Sequence, residues 1–349
     1  MTDALLQDSP PGRWVPDPLE GCSRMTLPLG EDEEGPVSAT LVRYDGHGGP
    51  VGRSPETGIS PTPMLHLHGW SDYFFNLPMA RHWTAQGRPF YALDLRKYGR
   101  SLRPWQTPGY IEDLHAYGEE LEAALDVIGH PRPILQAHST GGLAAALWTH
   151  RNPERVGALV LNSPWLEMPG DVAARAAVEG LITPLQHLQP KRPMKLPVVD
   201  NYWQSLSDEA HGEWTLHPRW RPRHSFPMRA GWLKAVLAGH REVYDGLDLP
   251  VPVLVVLSGE TVYRRQWSEK LQQADSVLDV ELLARRAVRL GRCVTVLRLE
   301  RALHDVFASA EGVRSAAFDQ VSRWLRAYGP EAPPPTESTA PPYRRSRLA

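Results

Sequence analysis

Short apolar runs alternate with longer stretches of helical spacing through most of this 349-residue chain. Met64-Leu65-His66-Leu67, Phe90-Tyr91-Ala92-Leu93-Asp94-Leu95, Pro133-Ile134-Leu135-Gln136-Ala137 and Ala158-Leu159-Val160-Leu161-Asn162 are each too short for a typical helix and largely apolar. Such runs suit strands buried on both faces. Between them the spacing predicts helices over about 73–86 and 111–128, the second with Leu114, Tyr117, Leu121, Leu125 and Ile128 on one face. An alanine-rich helix follows Ser139. This order implies an α/β fold, a mostly parallel central sheet with helices on both faces. Upstream, 25–29 and 38–44 read as paired strands around the acidic turn Glu31-Asp32-Glu33-Glu34-Gly35.

The alternation stops after Pro164 and resumes near Leu249. The interval has no clean strand pattern but carries Trp165, Trp203, Trp214, Trp220 and Trp232 among prolines and histidines. Beyond it come the apolar run Val251-Pro252-Val253-Leu254-Val255-Val256-Leu257, a helix expected over 280–290, the strand Val294–Leu299 and a final helix over 313–328. The expected organisation is one core (25–164 and 250–328) interrupted by a helical cap at 165–249. A surface segment (1–24) precedes it, and a proline-rich tail (329–349) expected to be disordered follows. The glycine- and proline-rich stretch 45–63 is a loop. Its Gly46-His47-Gly48-Gly49 is not a phosphate loop, because no helix follows.

Composition removes several function classes. With 38 basic and 40 acidic residues, net charge −2, and no long run of either sign, nothing marks a nucleic-acid footprint. Cys22 and Cys293 cannot build a disulfide framework or a thiolate metal site. The first residues, Met1 to Asp8, lack a basic start followed by an apolar core, so no signal peptide is expected. No apolar stretch approaches the roughly 20 residues that span a bilayer. A cytoplasmic protein is expected; oligomeric state is not legible.

The chemistry centres on Gln136-Ala137-His138-Ser139-Thr140-Gly141-Gly142. A strand that turns at once into a helix brings its backbone close to itself, so its flanking residues must be small. Ala137, Gly141 and Gly142 meet that need and leave Ser139 at the bend. This is the G-x-S-x-G nucleophile elbow with alanine at the first position. Taken alone, Ser139 could instead be a helix N-cap, the lesser of the two readings. A serine hydroxyl needs a base, and the base needs a partner that fixes its tautomer. In a fold with this elbow the order is serine, acid, histidine. His304, between the last strand and the last helix, supplies the histidine. Glu260, Glu269, Asp275, Asp279 and Glu281 follow the strand ending at Gly259, and the residues alone do not separate Asp275 from Asp279. Two N–H groups should hold the oxyanion: that of Thr140 and, after His68-Gly69, that of Trp70. His66 and His68 form an H-x-H pair, but no third ligand stands at convincing spacing. No metal and no cofactor are expected.

With the elbow, His68-Gly69, Asp94-Leu95-Arg96-Lys97-Tyr98-Gly99-Arg100-Ser101 and His304, the chain from about Met64 to Tyr328 resembles the α/β-hydrolase superfamily. Within it the likeness is to the serine aminopeptidase and monoacylglycerol lipase (lysophospholipase-like) branch. Members carry D-x-R-G-H-G-x-S where this chain has Lys97-Tyr98, taken as a structural turn. Ala274-Asp275-Ser276-Val277-Leu278-Asp279 is similar to the family's acid segment. The resemblance therefore implies Asp275 as the acid, with Asp279 in reserve. It further implies a serine hydrolase of carboxylic esters acting through an acyl-enzyme, and the tryptophan-rich cap favours a small-molecule ester substrate with an apolar acyl group. Peptidase, thioesterase and acyltransferase action are compatible with the same residues, and a non-catalytic ligand-binding member of the fold is the alternative outside enzymes.

Overall fold

The computed structural model describes residues 9–10, 12–46, 62–168, 180, 189–194 and 199–330. Among them nine strands share one sheet: β1 (Val15–Pro16), β2 (Cys22–Asp32), β3 (Gly35–Tyr44), β4 (Met64–Leu67), β5 (Phe90–Asp94), β6 (Ile134–His138), β7 (Ala158–Asn162), β8 (Val253–Ser258) and β9 (Val294–Leu299). Their order is β1-β2-β3-β5-β4-β6-β7-β8-β9. The first three run antiparallel and β3 joins β5 antiparallel; every pairing from β5 to β9 is parallel. Parallel neighbours need a crossover, which is why each core strand after β4 is followed by a longer excursion.

Alternation along the parallel strands sorts side chains into two cores. Leu65, Leu67, Leu135, Ala137, Leu159, Leu161, Val253 and Val255 lie on one face, against residues of the helices Gly118–Ile128, Ser139–Arg151, Ala230–Asp245 and Val280–Ala287. Met64, Phe90, Ala92, Ile134, Val160, Leu254 and Val256 lie on the other, against Leu77–Ala85 and Glu311–Tyr328. A slip of one residue would exchange the two sets, so register is strongly specified. The helix Ser139–Arg151 is buried from Ser139 to Thr149, and its small residues permit that. Gly239 answers it from Ala230–Asp245, where a Cβ would come within 2.9 Å of Leu147 Cδ1.

Several boundaries differ from the sequence expectation for local reasons. The helix expected from residue 73 begins at Leu77. Asn76 caps it, its side chain accepting from the Met79 N–H, while the Phe74 N–H is drawn away to Asp94 Oδ1 at 3.0 Å. The helix expected from 111 begins as a 3₁₀ turn, Leu114–Tyr117, set by Asp113 accepting from the His115 N–H. Among the described residues before β2, two anchors tie the chain to the sheet. Ser9 bonds Thr26, and the buried carboxylate of Asp17 meets Arg100 at 2.7 Å. The interval between β7 and β8 contains the helices Asn201–Leu206 and Ala230–Asp245. Much of 169–198, the loop residues 47–61 and the tail residues 331–349 lie outside the described residues.

Sequence order reverses around β4. Its neighbour on one side is β5 and on the other β6. The chain leaves β4 and β6 toward helices on opposite faces, which opens a crevice at the carboxyl ends of these two strands. His68-Gly69-Trp70 stands at one lip and His138-Ser139 at the other.

Candidate active site

Ser139 is the first residue of its helix and has φ +51°. A side chain in the left-handed region costs about 1–2 kcal/mol, so the surroundings must impose it. They do. A Cβ at Gly141 would stand 2.2 Å from the His68 carbonyl oxygen, one at Gly142 2.8 Å from Pro164 Cβ, and one at Gly69 2.9 Å from Ser139 Cβ. The three glycines let three backbone segments converge on one point. The Trp165 N–H, just past β7, donates to the Ser139 carbonyl at 3.0 Å.

The Ser139 hydroxyl lies 3.2 Å from His304 Nε2, and His304 Nδ1 lies 2.8 Å from Asp275 Oδ2. The second carboxylate oxygen of Asp275 accepts the N–H groups of Val277 (2.7 Å) and Leu278 (2.8 Å). Asp275 is fully buried, His304 nearly so, and Ser139 is 8 % exposed. The long excursion 261–274 returns by a parallel bridge between Thr261 and Asp275. There the Asp275 N–H donates to the Glu260 carbonyl at 3.0 Å and the Val262 N–H to the Asp275 carbonyl at 2.9 Å. The acid segment is thus laced onto the extension of β8. Asp279 does different work. It caps Val280–Ala287, accepting from the Glu281 and Leu282 N–H groups, and Glu281 pairs with Arg298.

Thr140 follows Ser139 in the first helical turn, where N–H groups have no partner within the helix. Trp70 follows Gly69, whose backbone abuts Ser139. The Trp70 indole lies 3.8 Å from Trp232, ring centre to ring centre and tilted by 40°, and meets Phe226 edge-on. Trp165 lies 6.0 Å from the same Trp232. Three tryptophans from three segments therefore form an aromatic wall, tied to the site at Trp70, next to Gly69, and at Trp165, whose N–H donates to the Ser139 carbonyl.

Within the H-x-H pair, both ring nitrogens of His68 are committed to backbone hydrogen bonds. The Leu95 N–H donates to His68 Nε2 at 3.1 Å, so the ring proton sits on Nδ1, which donates to the Gly69 carbonyl at 2.8 Å. Its lone pair is therefore used. Burial pushes His66 down to about 4. Among the described residues no three His, Cys, Asp or Glu side chains are grouped to hold a metal ion. Lys97 (φ +63°) is buried against Asp32 (2.6 Å) and Glu34 (2.8 Å) and ties the β2–β3 hairpin to the turn after β5. Asp94 accepts from the Arg100 N–H (2.9 Å) and guanidinium (2.8 Å); a Cβ at Gly99 (φ +47°) would collide with it.

Sequence reasoning missed the shell around His304. His138 lies 4.8 Å from it, ring to ring, and burial pushes His138 down to about 4, so it adds no charge there at neutral pH. Asn162, at the end of β7, donates to Asp305 Oδ1 (2.7 Å) and accepts the Val306 N–H (3.1 Å), clamping the His304 loop. Tyr202, Arg221 and Asp72 join it from other segments. Asp305 was visible as a neighbour of His304; the remaining contacts carry no local signal. A cavity of about 350 Å³ lined by Ser205, Trp267, Arg301 and Leu303 includes neither Ser139 nor His304.

Residues 63–282, well over half of the chain, match the family model for serine aminopeptidase, S33 (Hydrolase_4). The chain belongs to this family. Its sheet and helices are those of the α/β-hydrolase fold, which members of the family share with lipases of known structure. A soluble variant of monoglyceride lipase from Saccharomyces cerevisiae superposes with TM-score 0.60 at 14% identity, over 90% of this chain and 100% of that one. Paleococcus ferrophilus monoacylglycerol lipase gives 0.56 at 16% identity, over 77% and 97%. Curated relatives are similar over a shorter stretch. Human 1-acylglycerol-3-phosphate O-acyltransferase ABHD5 is 33% identical over 111 residues, 30% of each chain. Human (lyso)-N-acylphosphatidylethanolamine lipase is 31% identical over 114 residues, 32% of each. The match thus spans about a third of the length of these curated relatives. Among the described residues no helix is long and apolar enough to cross a membrane.

Proposed function

We propose that this family member is a serine hydrolase that cleaves carboxylic esters through an acyl-enzyme. The observation that carries the reading is the hydrogen-bonded relay from Ser139 through His304 to Asp275. In the proposed mechanism His304 Nε2 takes the hydroxyl proton as Ser139 Oγ attacks the ester carbonyl. Asp275 holds the Nδ1–H tautomer and balances the imidazolium. The N–H groups of Thr140 and Trp70 receive the oxyanion. His304 then returns the proton to the leaving alcohol, and water deacylates Ser139 by the same route.

The tryptophan wall favours an apolar acyl group, and residues 165–249 act in this reading as a cap over the crevice. Free cysteines, Cys22 buried and Cys293 exposed, accord with a cytoplasmic setting. Hydrolysis of short and medium p-nitrophenyl esters by wild type and by Ser139→Ala tests the assignment. Turnover should vanish in the variant, together with labelling by a fluorophosphonate probe; equal turnover in both refutes it. Acyl transfer is the second reading, favoured by the likeness to human 1-acylglycerol-3-phosphate O-acyltransferase ABHD5. Product analysis with a lysophospholipid or glycerol acceptor present distinguishes it from hydrolysis.

A further inference from the structure

Two residues of the proposed cap touch neither Ser139 nor Asp275, yet they join opposite sides of the site. Tyr202 stands edge-on to the His304 imidazole, 5.4 Å between ring centres, and its hydroxyl accepts the Asp305 N–H at 3.1 Å. The Arg221 guanidinium lies over the Tyr202 ring at 5.3 Å and over Phe75 at 5.7 Å. Arg221 also forms a buried ion pair with Asp72, two residues past Trp70. Burial works to raise the Asp72 carboxyl, and Arg221 outweighs it, holding the group below its ordinary range. Asp72 is fixed further by the Tyr73 N–H at 2.9 Å. Next to it Ser71, at φ +51°, accepts the Phe226 N–H at 3.0 Å.

We propose that Tyr202 and Arg221 are positioning residues, a strut that sets the His304 loop against the oxyanion loop. The proposal rests on the Ser139–His304–Asp275 relay above. A buried ion pair adds little net stability over apolar packing of the same volume. What Arg221 contributes is a set distance: one end is locked to Asp72 and its flat face to Tyr202, whose hydroxyl is locked to Asp305. The histidine and the oxyanion donors come from opposite lips of the crevice. No hydrogen bond of the relay itself fixes the spacing between His304 and the 69–72 backbone.

The test uses the full chain, with active sites titrated by a fluorophosphonate so that kcat refers to folded enzyme. Tyr202→Phe keeps the ring and removes the acceptor. The double variant Asp72→Asn with Arg221→Met removes the ion pair without stranding a charge. A misplacement of about 1 Å costs on the order of 100-fold in rate. Each variant should therefore lose about tenfold to 100-fold in kcat, with KM within about twofold. Arg223→Gln, on the same segment but more than half exposed and paired with Asp200, should leave kcat unchanged. Wild-type kcat in both strut variants overturns the proposal. So does a rise in KM alone, which would make Tyr202 a binding residue, or a loss that vanishes on active-site titration. Turnover surviving in Ser139→Ala instead removes the relay reading itself, whatever the strut variants do.

Discussion

Asp275→Asn and Asp279→Asn separate two carboxylates that stand four residues apart. In the folded chain Asp275 faces two demands at once. One oxygen accepts His304 Nδ1–H at 2.8 Å, and the other accepts two backbone N–H groups at 2.7 and 2.8 Å. Asparagine has one acceptor oxygen and one donor amide. Turning the oxygen to Val277 and Leu278 keeps two bonds; turning it to His304 keeps one and opposes donors to donors. Since each neutral hydrogen bond contributes about 0.5–1.5 kcal/mol and a buried N–H left without an acceptor costs about 1–3 kcal/mol, the first orientation wins. The amide then faces His304 Nδ1, which must become an acceptor, and the ring proton moves to Nε2. There it points at Ser139 and cannot take the hydroxyl proton. The wrong tautomer in such a relay costs about 10,000-fold in kcat, about 5 kcal/mol. Asp279→Asn replaces one good N-cap by another and should leave kcat unchanged, while Asp279→Ala should cost about 1 kcal/mol of stability. Initial rates on p-nitrophenyl butyrate, with urea unfolding alongside, measure both. The reasoning is refuted if Asp275→Asn stays within tenfold of wild type, or if Asp279→Asn carries the larger loss.

Two further outcomes follow from buried charge. His66, His138 and His240 are each pushed down to about 4 by burial. Their folded values lie below the unfolded 6.5, so the unfolded chain takes up protons that the native state refuses. Stability from these groups is therefore complete above pH 6.5 and falls as pH drops toward 4, by up to about 3 kcal/mol per imidazole. Thermal unfolding from pH 7 to 4.5 should show a declining Tm, and a flat Tm over that range contradicts the assignment. Lys97→Met takes from Asp32 its lysine partner, leaving it the Glu34 N–H, and leaves Glu34 with Lys191 and Thr107. It should cost about 1.5–3 kcal/mol in urea unfolding, the value of a hydrogen bond to a charged group, with kcat per folded site unchanged. A kcat loss without a stability loss would make Lys97 more than a structural turn.

Much of the fold was legible because its signals are local. Five core strands were readable from short apolar runs, since burial on both faces leaves a nearly continuous apolar run. The elbow was readable from three small residues around Ser139, because steric crowding at a strand-to-helix turn selects against side chains. His304 stood out by its place between the last strand and the last helix. Helix starts were less legible. Asn76 and Asp113 redirect the chain through bonds whose value depends on partners elsewhere, as with Phe74 and Asp94.

The sequence by itself determined the sheet's strands from β3 onward and most of β2, but not β1 (Val15–Pro16), which lies in the expected surface segment, together with the position of the bend and a short set of acids and histidines. Each of these depends on chain neighbours within a few residues. Only the tertiary structure shows which of Asp275 and Asp279 meets the His304 imidazole. Both can cap a helix, and the difference is which one the bridge between Thr261 and Asp275 carries to within 2.8 Å of an imidazole 29 residues away. The same holds for Asn162, Tyr202, Arg221 and Asp72. Their contacts span 72 to 305 in the chain, and no local pattern encodes which distant backbone a folded sheet will bring beside them.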